Sequence, residues 1–158
     1  MIQDSGMNMW RYQTCEELEI DAPIERVYLF ASDPETVPAY APEIARIDVV
    51  ERLSGHMVLV KSYPKVAWLT FGCLYRYHYR APTHYSGVQE RGRILRGYFT
   101  LTFRSQGEHT IVSHTEGVLS PIPCLAWLAG FTYFRIMARG GLGKELERLK
   151  CLVESGRT

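Results

Sequence analysis

The stretch that decides the fold is PIPCLAWLAGFTYFRIMARGGLGKELERLKCLV, running from Pro121 to Val153. Two prolines stand at its entrance, where a missing N–H costs a helix nothing. Apolar residues then recur at helical spacing: Cys124, Leu128, Phe131, Ala138, Leu142, Leu146, Leu149 and Val153. The pattern predicts one long helix with this stripe against a core and with Lys144, Glu145, Glu147, Arg148, Lys150 and Glu154 on a wet face. Arg135 falls inside the stripe, between Phe131 and Ala138, an expensive place for an unpaired guanidinium. Gly140, Gly141 and Gly143 each cost about 1 kcal/mol against alanine in a helix. They allow close packing, or they mark a hinge or break.

Upstream of this helix, Ile44 to Leu119 reads almost wholly as strand. Turn signals stand at Ser54-Gly55, Tyr63-Pro64-Lys65, Ala81-Pro82, Ser86-Gly87, Gly92, Gly97 and Gln106-Gly107. Intervals of roughly ten residues imply about six antiparallel strands joined as hairpins. From Phe71 to Ala81, the residues Phe71, Cys73, Tyr75, Tyr77 and Tyr79 alternate with Leu74, Arg76, His78 and Arg80, so an aromatic face turns inward and a basic one outward. Phe99, Leu101 and Phe103 alternate with Tyr98, Thr100 and Thr102 in the same way. Before these strands, Thr14 to Asp21 reads as a first strand. Ile24, Val27, Tyr28 and Phe30 form a short helix that starts after Pro23 and stops at Asp33-Pro34, and Glu35 to Ala39 gives a further helical turn. Residues 1–12 form a leader, and residues 13–158 form a single domain.

The fold class is therefore α+β: a curved antiparallel sheet of about seven strands wrapped on a long C-terminal helix, with two short helices between strands 1 and 2. A sheet so curved leaves an internal space for side chains or a ligand.

Composition narrows the function. The 18 basic and 17 acidic residues leave a net charge of +1 with no basic field, which argues against nucleic acid as a partner. Cys15, Cys73, Cys124 and Cys151 are widely spaced, with no CxxC pair, so neither zinc nor a disulfide framework is indicated, and reduced, mostly buried thiols are expected. The first dozen residues lack a basic cluster followed by an apolar run, which points to the cytoplasm. Ile122 to Ala138 is at the short limit for a membrane span and contains Arg135, so a buried helix is the better reading. Trp127, Phe131 and Phe134 leave room for a transient membrane contact.

The chain resembles the START-like superfamily with the helix-grip fold, which includes polyketide cyclases and aromatases, quinone-binding proteins and lipid carriers. The resemblance rests on Ile20-Asp21-Ala22-Pro23-Ile24-Glu25-Arg26-Val27-Tyr28-Leu29-Phe30, Asp33-Pro34-Glu35, Tyr40-Ala41-Pro42-Glu43-Ile44, the turn from Gly107 to Thr110 and the closing Leu146-Glu147-Arg148-Leu149-Lys150. It covers about residues 13–153 and implies a cavity that different relatives use for binding, transport or catalysis. The Cys and His spacings of the iron-binding branch are missing, so no metal or other cofactor is expected.

The candidate site residues follow. Arg135 either projects into the cavity to pair with a carboxylate, enolate or phenolate of the ligand, or it is structural and reaches solvent or Glu116. His114 and Glu116, two apart on one strand, share a face. If that face is concave, His114 can serve as a general base. The alternate face of Ile111, Ser113, Thr115, Gly117 and Leu119 is smaller and more apolar, which favours the convex placement for His114. Tyr75, Tyr77 and Tyr79, with Trp68, Phe71, Phe99 and Phe131, are the candidate ligand-binding wall. Lys65 to Phe71 and Ile94-Leu95 read either as a gate at the cavity mouth or as packed loops.

The expected function is binding of a hydrophobic small molecule, such as a polyketide, isoprenoid quinone or lipid. The alternatives are a polyketide cyclase, aromatase or dehydratase acting through Arg135 and His114, and a quinone or lipid chaperone docking on a membrane enzyme. The sequence does not fix the oligomeric state.

Overall fold

A computed structural model describes residues 9–66, 69–132 and 141–156, with the side chain of Val66 excepted. Strand β1 (Trp10–Ile20) leads through Pro23 into helix α1 (Ile24–Ser32) and the short α2 (Val37–Tyr40). Strands β2 (Ile44–Ser54), β3 (Met57–Val66), β4 (Leu69–Thr70), β5 (Cys73–Arg80), β6 (His84–Gln89), β7 (Arg96–Gln106) and β8 (His109–Ser120) follow, then helices α3 (Pro123–Thr132) and α4 (Gly141–Glu154). β1 begins at Trp10, so the end of the expected leader is part of the sheet. The architecture is the α+β helix-grip arrangement expected from the sequence.

Seven strands form one antiparallel sheet in the order β1-β8-β7-β6-β5-β3-β2, with the two-residue β4 paired to β3. β1 crosses to pair with β8 along its whole length, Trp10 opposite Ser120 and Ile20 opposite Thr110. Along β2 the register with β3 shifts three times, between Ile44 and Ile47, Val49 and Glu51, and Arg52 and Ser54. Such irregularities bend and twist a strand, which curls this end of the sheet around the interior.

Local chemistry sets the helix ends. α1 stops where Pro34 forces the preceding Asp33 into extended backbone, at φ −79° and ψ 120°. The Asp33 carboxylate then accepts the Glu35 N–H at 2.9 Å, turning the chain into α2. In α4, Leu142, Leu146, Leu149 and Val153 are all buried, as their spacing predicts, and the last three share one core with Ile20, Val27, Ala31 and Val112. The Asp21 N–H donates to Glu154 Oε1 at 2.8 Å, and Lys150 Nζ donates to Glu19 O at 2.9 Å, fixing α4 to the end of β1.

The upstream half of the expected stripe is corrected. Cys124 is exposed, Leu128 is 54% exposed and Phe131 is 36% exposed, whereas Ala126 and Gly130 are the buried residues of α3. On a uniform helical wheel this face stands about 150° from the buried face of α4. The Tyr12 ring from β1 is the reason: it lies against Gly130 where a Cβ would otherwise stand. Small residues therefore face the sheet, and the large ones of α3 face outward. The continuity of a single helix, and Arg135 within it, lie outside the described residues.

Ser86-Gly87 and Gly97 are likewise not turns. They sit inside β6 and β7, and Gly87 is paired on one side with Tyr77 and on the other with Phe99. A Cβ there would run into both rings, so the glycine gives the aromatic cluster its space. The thiols also differ from expectation: Cys15, Cys124 and Cys151 are exposed and Cys73 is half-buried, all four free of disulfides. No helix among the described residues is long and apolar enough to cross a membrane.

Candidate functional site

Between the concave face of the sheet and the helices lies a cavity of about 580 Å³. Its wall comes from α2, the start of β2, strands β3 and β5 to β8, Ala129 of α3 and the first turns of α4. Alternation in β5 and β7 supplies the aromatic part. Tyr75, Tyr77 and Phe99 face inward, and Tyr77 and Phe99 meet Tyr85 from β6, with the Tyr77 and Phe99 rings 5.2 Å apart and edge-on, and the Tyr85 and Phe99 rings 5.1 Å apart. Burial raises the phenol pKa values of Tyr75, Tyr77 and Tyr85, so these hydroxyls stay neutral.

One pole of this aromatic cavity is polar. His114 on β8 is 4% exposed and faces inward, which overturns the convex placement favoured from the sequence. The alternate face, small and apolar as it is, is the outer one. There, Ser113 donates to Glu17 of β1 at 2.6 Å, and Leu119 packs in a small second cluster with Met9, Val88 and Tyr98. Two residues beyond His114, Glu116 also lines the cavity, its Oε1 3.9 Å from His114 Nε2. From α4, Glu145 Oε2 approaches His114 Nδ1 at 3.4 Å. The imidazole is thus flanked by a carboxylate at each ring nitrogen.

Glu145 was expected on the wet face of the helix and is instead 6% exposed. On the wheel it lies at the margin of the Leu142, Leu146, Leu149 stripe, next to Leu149, and this position is the signal that could have found it. Glu43, at the end of α2's exit loop, is a third carboxylate in the lining.

Burial acts on these groups in opposite senses. It lowers the His114 pKa to about 4, leaving a neutral imidazole at neutral pH. It raises that of Glu116 to about 7, with the nearby Glu43 charge adding to the effect. Glu43 is itself raised by burial and partly restrained by a backbone hydrogen bond and by the charges of Arg148 and Lys65. A buried base and a buried acid side by side, with their affinities for protons driven apart, form an arrangement able to move a proton. His114, Glu116 and Glu145 also bring one ligand atom each within 4.8 Å of one another, a donor set compatible with a divalent cation. The approach of the carboxylates to opposite ring nitrogens suits a proton relay better than a shared metal ion.

Of the sequence-derived site residues, the structure brings Phe71, Tyr75, Tyr77, Phe99 and His114 to the cavity. Tyr79 is not in the lining; it stacks on Tyr85 at 5.2 Å, within the core behind the wall. Phe131 is also outside the lining and stacks on Trp127 at 5.1 Å on the outer side of α3. Trp68 and Arg135 lie outside the described residues. Leu95 and Lys65 do belong to the lining, while Ile94 beside them is exposed, so the expected mouth loops border the cavity. Sequence reasoning did not single out Tyr40, Glu43, Ser62, Tyr85 or Gln89 as lining residues.

No protein-family profile and no curated protein matches the chain. Solved structures do. A Thermus thermophilus protein superposes with a TM-score of 0.73 at 23% identity, over 93% of this chain and 100% of that one. An aromatase/cyclase of Streptomyces sp. R1128 does so with a TM-score of 0.73 at 12% identity, over 91% and 94%. A START superfamily protein of Mycobacterium smegmatis gives 0.67 at 18%, over 90% and 97%. The likeness spans nearly the whole of each chain and is one of fold.

Proposed function

We propose, starting from a START-like helix-grip fold, that this protein encloses a hydrophobic, ring-bearing small molecule in the cavity between sheet and helices. The observation that carries the reading is an aromatic space of about 580 Å³ into which His114, Glu116 and Glu145 converge. Ligand sites are mostly apolar concavities of this size with a few convergent polar groups. A polyketide, an isoprenoid quinone and an acyl lipid are the candidate classes, each with an apolar body for the Tyr75, Tyr77 and Phe99 wall and a polar end for His114 and Glu116. The relatives of like fold, among them an aromatase/cyclase, support this reading at the level of ligand-binding architecture. The experiment is native mass spectrometry of freshly purified protein, with organic extraction of any released mass and a thermal-shift series of ring-bearing compounds. A stoichiometric hydrophobic adduct, or stabilisation by such compounds that Phe99→Ala weakens, supports the reading. No adduct and no stabilisation refutes it.

The flanked imidazole favours a second reading, a dehydratase or cyclase on a poly-β-ketone chain. Acting on the β-hydroxy aldol adduct of such a chain, a neutral His114 takes the proton from the carbon α to the carbonyl, and the bond pair passes into the new double bond as hydroxide leaves from the neighbouring carbinol carbon. The Glu116 carboxyl gives its proton to that hydroxide, so water is released and the carboxylate recovers a proton from His114 or solvent. Glu145 orients the imidazole and stabilises its charged form, as an acceptor at the remote nitrogen does in hydrolytic triads. Arg135 keeps its proposed place as the partner of a developing enolate. The exposed Trp127 and Phe131 stack, with Leu128 and Ile122, supports the chaperone alternative, in which α3 meets a lipid surface during ligand delivery.

A further inference from the structure

The polar pole of the cavity is made of acceptors. Above about pH 7, where Glu116 has given up its proton, its carboxylate and that of Glu145 only accept hydrogen bonds, and neutral His114 keeps one accepting nitrogen. Tyr85, 1% exposed and part of the same lining, has its hydroxyl paired with that of Tyr77. Among those residues, Glu116 and Glu145 have no ion-pair partner except His114. Lys65 lines the cavity too, but its Nζ donates to Pro42 O at 3.0 Å, and its charge, like that of Arg148, acts on Glu43. Two carboxylates gathered in an apolar space are costly unless something positive joins them.

We propose that the ligand of this cavity carries a protonated amine on its apolar body, with the ammonium seated between Glu116 and Glu145. The inference rests on the enclosure of a ring-bearing molecule proposed above and specifies its polar end. An ammonium brings three donors and no acceptor, the complement of this pole. A ligand carboxylate would meet like charge here, whereas the Arg135 pairing expected from the sequence asks for an anion. The sign of the ligand's charge therefore separates the two ideas.

The test uses the full chain in calorimetric titrations at about pH 8, where carboxylates are ionised and alkylamines protonated. The probes are naphthylethylamine, naphthylethanol and naphthylacetate, which share the apolar body and differ in the charge of the polar end. The amine is expected to bind about tenfold or more tightly than the alcohol, as a charge-assisted bond exceeds a neutral one, with the acetate weakest. Glu116→Gln and Glu145→Gln should each pull the amine-to-alcohol affinity ratio towards one, with circular dichroism as the control for folding. Should either variant fail to fold, the wild-type probe series still decides. Equal affinity for amine and alcohol, or tightest binding of the acetate, overturns the amine assignment while leaving the enclosed-ligand reading intact. Failure of all three probes to bind overturns both.

Discussion

Replacing Glu116 by Gln removes one titration and leaves a side chain of nearly the same shape, which makes its effect on stability calculable. The native Glu116 pKa is raised from 4.5 to about 7, chiefly by burial. A carboxyl whose folded pKa lies above its unfolded one contributes stability below the unfolded value and loses it as pH rises through the folded value. For Glu116 the loss therefore runs from about pH 4.5 to about pH 7. The gap between those pKa values corresponds to about 3 kcal/mol, an upper figure because the side chain keeps 26% of its exposure. His114 works in the opposite sense. Its pKa is lowered from 6.5 to about 4, so its contribution is complete above pH 6.5 and is lost as pH falls through about 4.

In the wild type the two slopes oppose each other between about pH 4.5 and 6.5 and largely cancel. The assay is urea unfolding followed by circular dichroism at several pH values across this range. Glu116→Gln should gain on the wild type steadily as pH rises, by up to about 3 kcal/mol near pH 7.5, and its own stability should climb from pH 4 to 6.5 with the His114 slope exposed. A difference between variant and wild type that stays constant from pH 4.5 to 7.5 would refute the burial argument for Glu116.

Other substitutions test the rest of the structure. Leu149→Ala should cost about 2–5 kcal/mol as a fully buried core truncation, while Leu128→Ala should stay within about 0.5 kcal/mol; comparable unfolding midpoints would sink the placement of α3. Gly87→Val should destabilise by about 1–3 kcal/mol or more through overpacking of Tyr77 and Phe99, and thermal melts read this directly. If the second reading holds, the rate with a poly-β-ketone mimic should be highest between about pH 4 and 7 and fall above it as Glu116 loses its proton; a rate still rising at pH 8.5 would exclude Glu116 as the acid. Trp127→Ala should leave the melting temperature nearly unchanged, since the ring is 56% exposed, and should reduce co-sedimentation with anionic liposomes; undiminished co-sedimentation removes α3 from membrane contact.

Much of this architecture was legible because periodicity is a local property. Two-residue alternation in Tyr75, Tyr77 and Tyr79, and in Phe99, Leu101 and Phe103, fixes which side chains share a face, whatever the strands pair with. The same logic places Leu142, Leu146, Leu149 and Val153 on one buried stripe, and Pro34 stops α1 by steric exclusion at Asp33. Pattern could not say where large residues give way to small ones against a neighbour. At α3 that depended on Tyr12, far away in sequence, taking the space beside Gly130. At β6 it depended on two flanking rings leaning over Gly87, which made a glycine with the look of a turn into the centre of a strand.

The polar pole shows the division most clearly. That His114 and Glu116 share a face followed from their spacing in the strand alone. Whether the face was concave did not, since both faces of β8 are largely covered: one by the core and cavity, the other by β1 side chains and the small outer cluster. Sheet curvature and the seat of α4 decided it. They carried Glu145, a marginal position on a helical wheel, to within 3.4 Å of an imidazole on another element. Short-range sterics and side-chain periodicity thus determined the elements and their faces. The meeting of groups from β8 and α4 was decided by long-range packing, because an imidazole and a carboxylate distant along the chain become neighbours only when the sheet closes on the helix.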